Sequence, residues 1–359
     1  MDSQDGIIKL LQSLWPKNKA KGLLAQSVFQ KDILSGSFGS DANERIFEGC
    51  WLLAPKASNF YRFRFCFFIH PNILDSASDQ TNLGDLLKNR IRPFHAISEY
   101  MSNAGIGVLY AVPTARDGIL PIGDLINKNF SAIEWKIFSF QNSSFIQIDT
   151  NRFFSKWAGN RGRLGNATGW DDETKDSFKH VNPDVLEGLL LHELFYAGLI
   201  KSVLKKPLND PYDIDAFIMS ISQKHIFPVE IKEKFPGINR SEKFFGIDAG
   251  RIMMLLRLCL PNESNAIYLI REMDESKKFV GWKYITLSDL VMTASWNLQA
   301  GGLGMGGQST QTVILPYECF KTFDQSVIAE DNLRMKSSLS EDFKATAAGF
   351  LDELVSLYH

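Results

Sequence analysis

The sequence has few cysteines, almost no net charge and no long uninterrupted apolar run. Its four cysteines lie among apolar neighbours and none forms a C-x-x-C pair, so we read them as reduced core residues and expect neither a zinc site nor a disulfide framework. No apolar run reaches membrane-spanning length, and the acidic Met1–Asp5 start is unlike a signal peptide. We therefore expect a cytoplasmic protein with no membrane partner.

The formal net charge is −2, which excludes a protein that is basic over its whole surface. Any nucleic-acid site would have to be a local basic patch. With 359 residues, of which 45% are hydrophobic, the chain can bury more than one sizeable core. We predict an N-terminal α+β module over 1–150, a basic glycine-rich linker over 151–181, and a second domain over 182–359.

Helical and strand-like patterns alternate in the N-terminal module. Apolar residues recur at helical spacing and at strand spacing in separate segments, which a proline or a polar turn often ends. The predicted helices are 6–14, 83–103 with a break near Pro93, and 120–127, and the predicted strands are 45–53, 59–70, 106–112, 133–140 and 145–149.

A basic segment follows at the predicted module boundary. Four basic residues fall within a dozen positions without an intervening acid, and glycines are interleaved with them. Arginines and close backbone approach suit phosphate contacts, so the segment is either a phosphate-binding loop or a flexible linker. The basic residues are Arg152, Lys156, Arg161 and Arg163.

The next helix is predicted to be buried. Asn182 is suited to cap it, Pro183 fits its first turn, and the residues up to Leu199 are nearly all apolar. Its polar exceptions include Glu187 and Glu193. A carboxylate in such a helix is costly unless a cation or hydrogen bonds accompany it, and an exposed stripe is the simpler alternative.

A β-hairpin is predicted directly after this helix. Two arms rich in β-branched and aromatic residues, 213–220 and 226–232, flank a short polar turn, and Pro228 would mark the start of the second strand. If the turn is symmetric, Asp215 lies opposite Glu230 and their side chains share one face. The same register places Asp213 opposite Lys232.

These side chains are suited to phosphodiester hydrolysis. Two neighbouring carboxylates repel each other unless a cation lies between them, and Mg²⁺ prefers carboxylate oxygens with several waters retained. Lys232 is two residues from Glu230 and so shares its face, where an ammonium could meet the attacking water or the charge on a phosphate. The alternative is a surface hairpin with an Asp213–Lys232 ion pair. Asp213 and Asp215 both remain open as the ligand, with Asp215 preferred.

Asp215 followed by an apolar run, then Glu230-Ile231-Lys232, resembles the motif of the PD-(D/E)XK nuclease superfamily. The resemblance covers about 184–296. It implies a restriction-endonuclease-like α/β fold, in which helices flank a mixed sheet. It also implies Asp215, Glu230 and the Ile231 carbonyl as metal ligands and Lys232 as the catalytic lysine. A helix glutamate assists in this superfamily, for which Glu187 is the first choice and Glu193 the second.

The function that the resemblance implies is a Mg²⁺-dependent DNA endonuclease, with Mn²⁺ able to substitute. We expect a type II restriction endonuclease that acts on double-stranded DNA as a homodimer and cuts both strands. Three alternatives remain open. They are a phage-defence effector nuclease with an N-terminal sensing module, a non-catalytic nucleic-acid- or protein-binding module on the same fold, and a nuclease acting on RNA.

The C-terminal part contributes further predicted elements and contacts. Lys234 follows the motif as a nucleic-acid contact, and Gln308 could read base edges from a glycine-rich loop, 299–309. Ser338 and Glu341 form a capping box before an amphipathic helix. The remaining predicted elements are a helix at 252–260, a strand at 266–271, a helix at 288–297 and a strand at 312–315.

Overall fold

The protein is described here from a computed structural model. The residues that it describes are 3–39, 42–54, 64–76, 91–142, 144–155, 157, 169–206, 211–222, 224–239, 241–303, 309–337 and 339–357.

Twelve α-helices occur in the described parts of the chain, together with one π-helix and short 3₁₀ turns. The π-helix, Phe195–Val203, directly continues α8. The α-helices are α1 (Ser3–Leu14), α2 (Lys17–Leu34), α3 (Ala42–Arg45), α4 (Ile91–Asn103), α5 (Ile122–Ile126), α6 (Thr150–Ser155), α7 (Asp172–Lys179), α8 (Pro183–Leu194), α9 (Ala249–Cys259), α10 (Leu287–Thr293), α11 (Glu330–Ser337) and α12 (Glu341–Leu357).

Fifteen β-strands alternate with these helices in the described residues. They are β1 (Ile46–Leu53), β2 (Phe65–Ile69), β3 (Leu74–Asp75), β4 (Gly107–Ala115), β5 (Glu134–Gln141), β6 (Ser144–Ile148), β7 (Tyr212–Met219), β8 (Ile226–Lys234), β9 (Gly237–Asn239), β10 (Glu242–Asp248), β11 (Ile267–Met273), β12 (Phe279–Thr286), β13 (Ser295–Leu303), β14 (Ser309–Pro316) and β15 (Lys321–Thr322).

The chain divides into two compact units. Unit 1 comprises Met1–Lys31 and Gly49–Asp213, and unit 2 comprises Asp32–Glu48 and Ile214–His359. The sequence predicts domain boundaries at 150 and 182. In the structure, the chain passes from unit 1 into the last segment of unit 2 between Asp213 and Ile214. Residues 182–213, including the buried helix α8, therefore belong to unit 1.

Unit 1 contains a mixed sheet in the order β1-β2-β4-β5-β6, with β3 beside β4. The β2–β4 pair is parallel, and the β1–β2, β4–β5 and β5–β6 pairs are antiparallel. The predicted pairing of 133–140 with 145–149 is confirmed by β5 and β6. The predicted helix 6–14 is confirmed by α1.

Aromatic side chains fill much of the core of unit 1. Trp51 from β1 packs against Tyr196 with ring centroids 4.8 Å apart, and Phe67 from β2 packs against Phe195 at 4.9 Å. Such rings bury large apolar areas and favour offset contacts of this kind. The core thus holds the end of α8 and the start of the π-helix against the sheet.

The strands β15, β12, β11, β8 and β7 of unit 2 are neighbours in that order and include both parallel and antiparallel pairs. Strands β7 and β8 are antiparallel, while β8 and β11 are parallel. Helix α9 lies between β10 and β11 in sequence, as a parallel connection requires. The predicted helix 252–260 and strand 266–271 are confirmed, and together the two units establish a mixed α/β protein.

Pro228 does not begin its strand, contrary to the prediction, because β8 begins two residues earlier at Ile226. Pairing with β11 starts only at Val229. The missing N–H of Pro228 therefore lies beyond the paired part of β11, where proline is tolerated.

A separate four-stranded sheet in unit 2 corrects two predictions. Helix α10 ends at Thr293, so the predicted helix 288–297 is too long, and the glycine-rich stretch 299–303 is part of strand β13 instead of a loop. The register of β13 against β14 shifts between Ala300 and Leu303. Glycines are common at such irregularities, which explains why the stretch looked like a loop. Residues 304–308 lie outside the described residues.

The C-terminal helix is capped two residues later than predicted. The Ser340 hydroxyl accepts a hydrogen bond from the Phe343 backbone N–H at 3.1 Å, so Ser340 caps α12. Ser338, the predicted cap, lies outside the described residues. Serine at either position satisfies the sequence pattern, and only the start of the helix selects between them.

The four cysteines are free, and three of them are buried, as expected for core residues. No described helix is both long and apolar enough to cross a membrane.

Asn182 caps α8 as predicted, because its side-chain oxygen accepts a hydrogen bond from the Asp184 N–H at 2.9 Å. We expect Asn182→Ala to lower the free energy of unfolding by about 1 kcal/mol, and Asn182→Asp to lower it much less because aspartate also caps. Urea unfolding would measure both. Equal losses for the two variants would contradict a capping role.

Candidate functional site

The predicted hairpin is confirmed, and its register is the predicted one. Strands β7 and β8 pair from Ala216 with Val229 to Met219 with Ile226. The ladder ends at Ala216 and Val229, and only its continuation by one position would place Asp215 opposite Glu230. Side chains at opposed positions share a face of the sheet, so the two carboxylates would then lie on one side of the hairpin.

Asp215 is bound to the neighbouring strand through its side chain. Its Oδ2 atom accepts a hydrogen bond from the Ile231 backbone N–H at 2.6 Å. This hydrogen bond holds the Asp215 carboxylate against the backbone of Ile231, the residue that follows Glu230 in β8. The contact involves the N–H of Ile231, whereas the resemblance implies a role for its carbonyl, and that role stays a prediction.

Glu230 is fully buried and lies between two cations. Its Oε1 is 2.6 Å from the Lys232 ammonium, and its Oε2 is 3.3 Å from the Arg251 guanidinium. A buried carboxylate requires such compensation, because its desolvation would otherwise cost several kcal/mol. The Lys232 ammonium therefore contacts the Glu230 carboxylate, as the motif suggests, and about one-third of the Lys232 side chain remains exposed to solvent.

Arg251 was missed by the sequence analysis. It lies in the first turn of α9, where Asp248 caps the helix by accepting a hydrogen bond from the Gly250 N–H. A cation in the first turn is disfavoured by the helix dipole. An arginine at this position of an otherwise apolar helix is thus a signal of an acidic partner.

Two more titratable groups occur on the Glu230 side of β8 and β11. Burial and the nearby Lys232 charge lower the pKa of Lys234 to about 8. Tyr268 is the residue paired with Glu230 across the parallel β8–β11 ladder, and its hydroxyl donates to the Gly246 carbonyl at 2.9 Å. Burial, with Glu230 nearby, raises the pKa of Tyr268.

A second cluster of charged residues lies in unit 1. One potential ligand atom from each of His192, Glu193 and Asp213 lies within 4.8 Å of the other two. The Lys19 ammonium is 3.2 Å from Glu193 Oε1 and 2.6 Å from Asp213 Oδ2. We call these four residues the Lys19 cluster. The Trp51 ring also lies beneath the ammonium, 5.3 Å from its centroid.

Burial strongly affects two pKa values in the Lys19 cluster. It raises the pKa of the Glu193 carboxyl to about 7, although the Lys19 charge opposes this change. It lowers the pKa of His192 to about 4, against the opposing effect of Asp213. Near neutral pH, His192 is therefore uncharged and Glu193 titrates.

The helix glutamates differ in burial. Glu193, the second choice, is fully buried, whereas Glu187, the first choice, is half-buried and accepts a hydrogen bond from the Ile73 backbone N–H. Burial raises the pKa of Glu187. A catalytic role for Glu187 stays a prediction.

Two of the six predicted nucleic-acid contacts, Arg152 and Lys234, are among the described residues. Arg152 has an exposed side chain on α6. Lys234 follows Lys232 on the same face of β8, as the alternation of side chains requires. Lys156, Arg161, Arg163 and Gln308 lie outside the described residues.

Comparisons with known proteins do not identify a family. No family model matches the chain, and no curated protein matches it. A matching solved structure is XiaF from Streptomyces sp. in complex with FADH2 and glycerol, with 13% sequence identity and a TM-score of 0.13. The match covers 27% of this chain and 24% of XiaF. The chain thus spans about a quarter of that protein.

Removal of the Arg251 guanidinium should destabilise the folded protein, because the buried Glu230 carboxylate would lose a cation. We expect Arg251→Met to lower the free energy of unfolding by about 3–5 kcal/mol, because a buried carboxylate would lose one of its two cations. Adding Glu230→Gln should restore part of this loss, which a double-mutant cycle by urea unfolding would measure. Strictly additive effects would contradict a direct Arg251–Glu230 interaction.

The raised pKa of Glu193 predicts a pH-dependent effect on stability. Between its ordinary value of 4.5 and about 7, the folded protein binds a proton that the unfolded chain does not, so Glu193 makes the protein less stable as pH rises. Glu193→Gln removes this effect. The melting temperature of the variant minus that of the wild type should rise by several degrees from pH 5 to pH 8.

His192 has the opposite pH dependence, but it is present in both proteins and largely cancels in the difference. Glu187→Gln is a comparison on the same helix: burial also raises the pKa of the half-buried Glu187, so its difference in melting temperature should change with pH in the same direction but by less. A difference in melting temperature that does not vary with pH would contradict the assignment.

Proposed function

We propose that this protein is a Mg²⁺-dependent endodeoxyribonuclease whose active site lies on the β7–β8 hairpin. The observation that carries the proposal is the hairpin itself, in which Lys232 contacts Glu230 and whose register, continued one position past its paired residues, would oppose Asp215 to Glu230. Two adjacent carboxylates with an ammonium beside them are the groups that metal-assisted phosphodiester hydrolysis requires.

The order of elements supports a restriction-endonuclease-like arrangement. A buried helix precedes the strand with Asp215, the E-x-K strand follows, and α9 then leads to a strand parallel to β8. This is the order that the PD-(D/E)XK resemblance implies.

The residues fit a divalent ion. Glu230 is fully buried, yet neither of its oxygens accepts a well-formed hydrogen bond among the described residues, so both retain coordinating capacity. Asp215 and Glu230 would hold Mg²⁺ with the Ile231 carbonyl. A bound Mg²⁺ would stabilise charge on the phosphate and lower the pKa of a bound water.

Lys232 would act on the reacting groups directly. Its partial exposure lets the ammonium turn from Glu230 toward an incoming phosphate. There it would orient the attacking water and stabilise the negative charge that develops as the water oxygen bonds to phosphorus and the sugar oxygen leaves. Lys234 lies on the same face and would contact the backbone of the nucleic acid.

A type II restriction endonuclease on double-stranded DNA, as a homodimer, is the specific form that we propose. A phage-defence effector nuclease would use the same hairpin chemistry. The non-catalytic alternative has one specific observation in its favour. The charge of Glu230 is already compensated by Lys232 and Arg251, so the three residues could serve only to stabilise the fold.

Plasmid cleavage in Mg²⁺ tests the proposal. We expect the wild type to cut, and Glu230→Gln and Lys232→Ala to cut at least about a hundredfold more slowly, since each removes a group that acts on the transition state. Lys224→Ala is the matched control, because Lys224 is an exposed lysine at the turn of the same hairpin. It should cut like the wild type.

The products distinguish the remaining possibilities. Discrete fragments support a restriction endonuclease, a smear supports an effector, and cleavage of RNA alone supports an RNA-directed enzyme. Cleavage that both site substitutions leave unchanged would exclude the hairpin as the active site. Absence of cleavage by a folded wild type on DNA and RNA would favour the non-catalytic alternative.

A further inference from the structure

The Lys19 cluster in unit 1 takes no part in the reaction as we propose it, in which the preferred residues are Asp215 instead of Asp213 and Glu187 instead of Glu193. It combines residues from three elements: Lys19 on α2, His192 and Glu193 at the end of α8, and Asp213 on β7. Its members are far apart in sequence, so only the fold brings them together. A buried group of this kind is costly to maintain, which makes its chemistry informative.

The donor atoms lie at a spacing that a single ion can bridge. An ion bound at about 2.1 Å by nitrogen and oxygen ligands places donor atoms up to about 4.2 Å apart. The ligand atoms of His192, Glu193 and Asp213 are within 4.8 Å of one another. Tetrahedral ligands at that bond length lie about 3.4 Å apart, so these side chains would have to move closer by up to about 1.4 Å to complete a three-ligand site.

Glu193 provides a second, independent indication of a ligand. It is fully buried, and neither of its carboxylate oxygens accepts a well-formed hydrogen bond among the described residues. A buried carboxylate with unused lone pairs is rare in folded proteins. The Lys19 ammonium forms an ion pair with the Oε1 atom of Glu193 at 3.2 Å.

The charge of the cluster is compatible with a cation. When Glu193 and Asp213 are ionised, Lys19 offsets only one of their two negative charges, so these groups together retain one negative charge. His192 is only partly buried, whereas Glu193 and Asp213 are buried. The helix also changes to π geometry at Phe195, two residues after Glu193, and such changes often occur at functional sites.

We infer that His192, Glu193 and Asp213 form a binding site for a divalent transition-metal ion, with the Lys19 ammonium competing for the same carboxylates. Imidazole nitrogen combined with two carboxylates favours Zn²⁺ or Mn²⁺ over Mg²⁺ or Ca²⁺, which prefer oxygen ligands alone. The site is distinct from the hairpin site of unit 2 and does not depend on the nuclease proposal.

Isothermal titration calorimetry on the full chain tests the inference. Zn²⁺ and Mn²⁺ are titrated separately into Glu230→Gln protein, which lacks a ligand of the hairpin site. We expect binding in this background, and at least about tenfold weaker binding when Asp213→Asn or His192→Asn is added. The test needs only one of these two ligand variants to fold, and circular dichroism shows which of them is folded.

The competition by Lys19 gives a result that a structural ion pair would not. Lys19→Met in the same background should bind Zn²⁺ or Mn²⁺ more tightly than Glu230→Gln alone, and the ion should raise its melting temperature by a larger amount. Asp184→Asn is the matched control, because Asp184 is an exposed carboxylate on helix α8, and it should leave the affinity unchanged.

Three outcomes would overturn the inference. One is no uptake of either ion by the Glu230→Gln protein, and another is unchanged affinity in the folded Asp213→Asn and His192→Asn variants. The third is weaker binding in Lys19→Met. A failed plasmid assay alongside Zn²⁺ or Mn²⁺ uptake by unit 1 would reject the proposed function while leaving this site intact.

Discussion

Two glutamates with no solvent exposure are accommodated in this protein by basic side chains at contact distance. Glu230 in unit 2 lies between Lys232 and Arg251, and Glu193 in unit 1 is close to Lys19. Without these cations, either carboxylate would have to be protonated or would destabilise the fold by several kcal/mol. Ion binding at either candidate site depends on this charge compensation.

The same compensation sets a limit on ion binding in both units. An ion that approaches Glu230 or Glu193 must displace or share a contact that an ammonium or guanidinium already makes. Lys232 keeps about one-third of its side chain exposed, whereas Arg251 and Lys19 are nearly buried. Lys232 is thus the cation that can leave its carboxylate with the least rearrangement, which is consistent with a role in catalysis.

The hairpin could be predicted from sequence because its determinants are local. Alternating apolar residues and a short polar turn set both the strands and the register, and Asn182 with Pro183 marked the start of α8 equally well. Arg251 and Lys19 could not be assigned in the same way, since their partners are distant along the chain. The strand β13 was missed because its glycines resemble a loop until β14 is present to pair with it.

The change from α to π geometry at Phe195 affects the directions in which the side chains on either side of it point. A π segment accommodates more residues per turn than the helix before it, so it behaves as a local insertion within a continuous rod. The side chains that follow the segment are therefore rotated about the helix axis relative to the positions that a continuous α-helix would give them. His192 and Glu193 keep their direction toward Asp213, while Leu199 and Ile200 follow the requirements of the core, and neither set of contacts has to be compromised for the other.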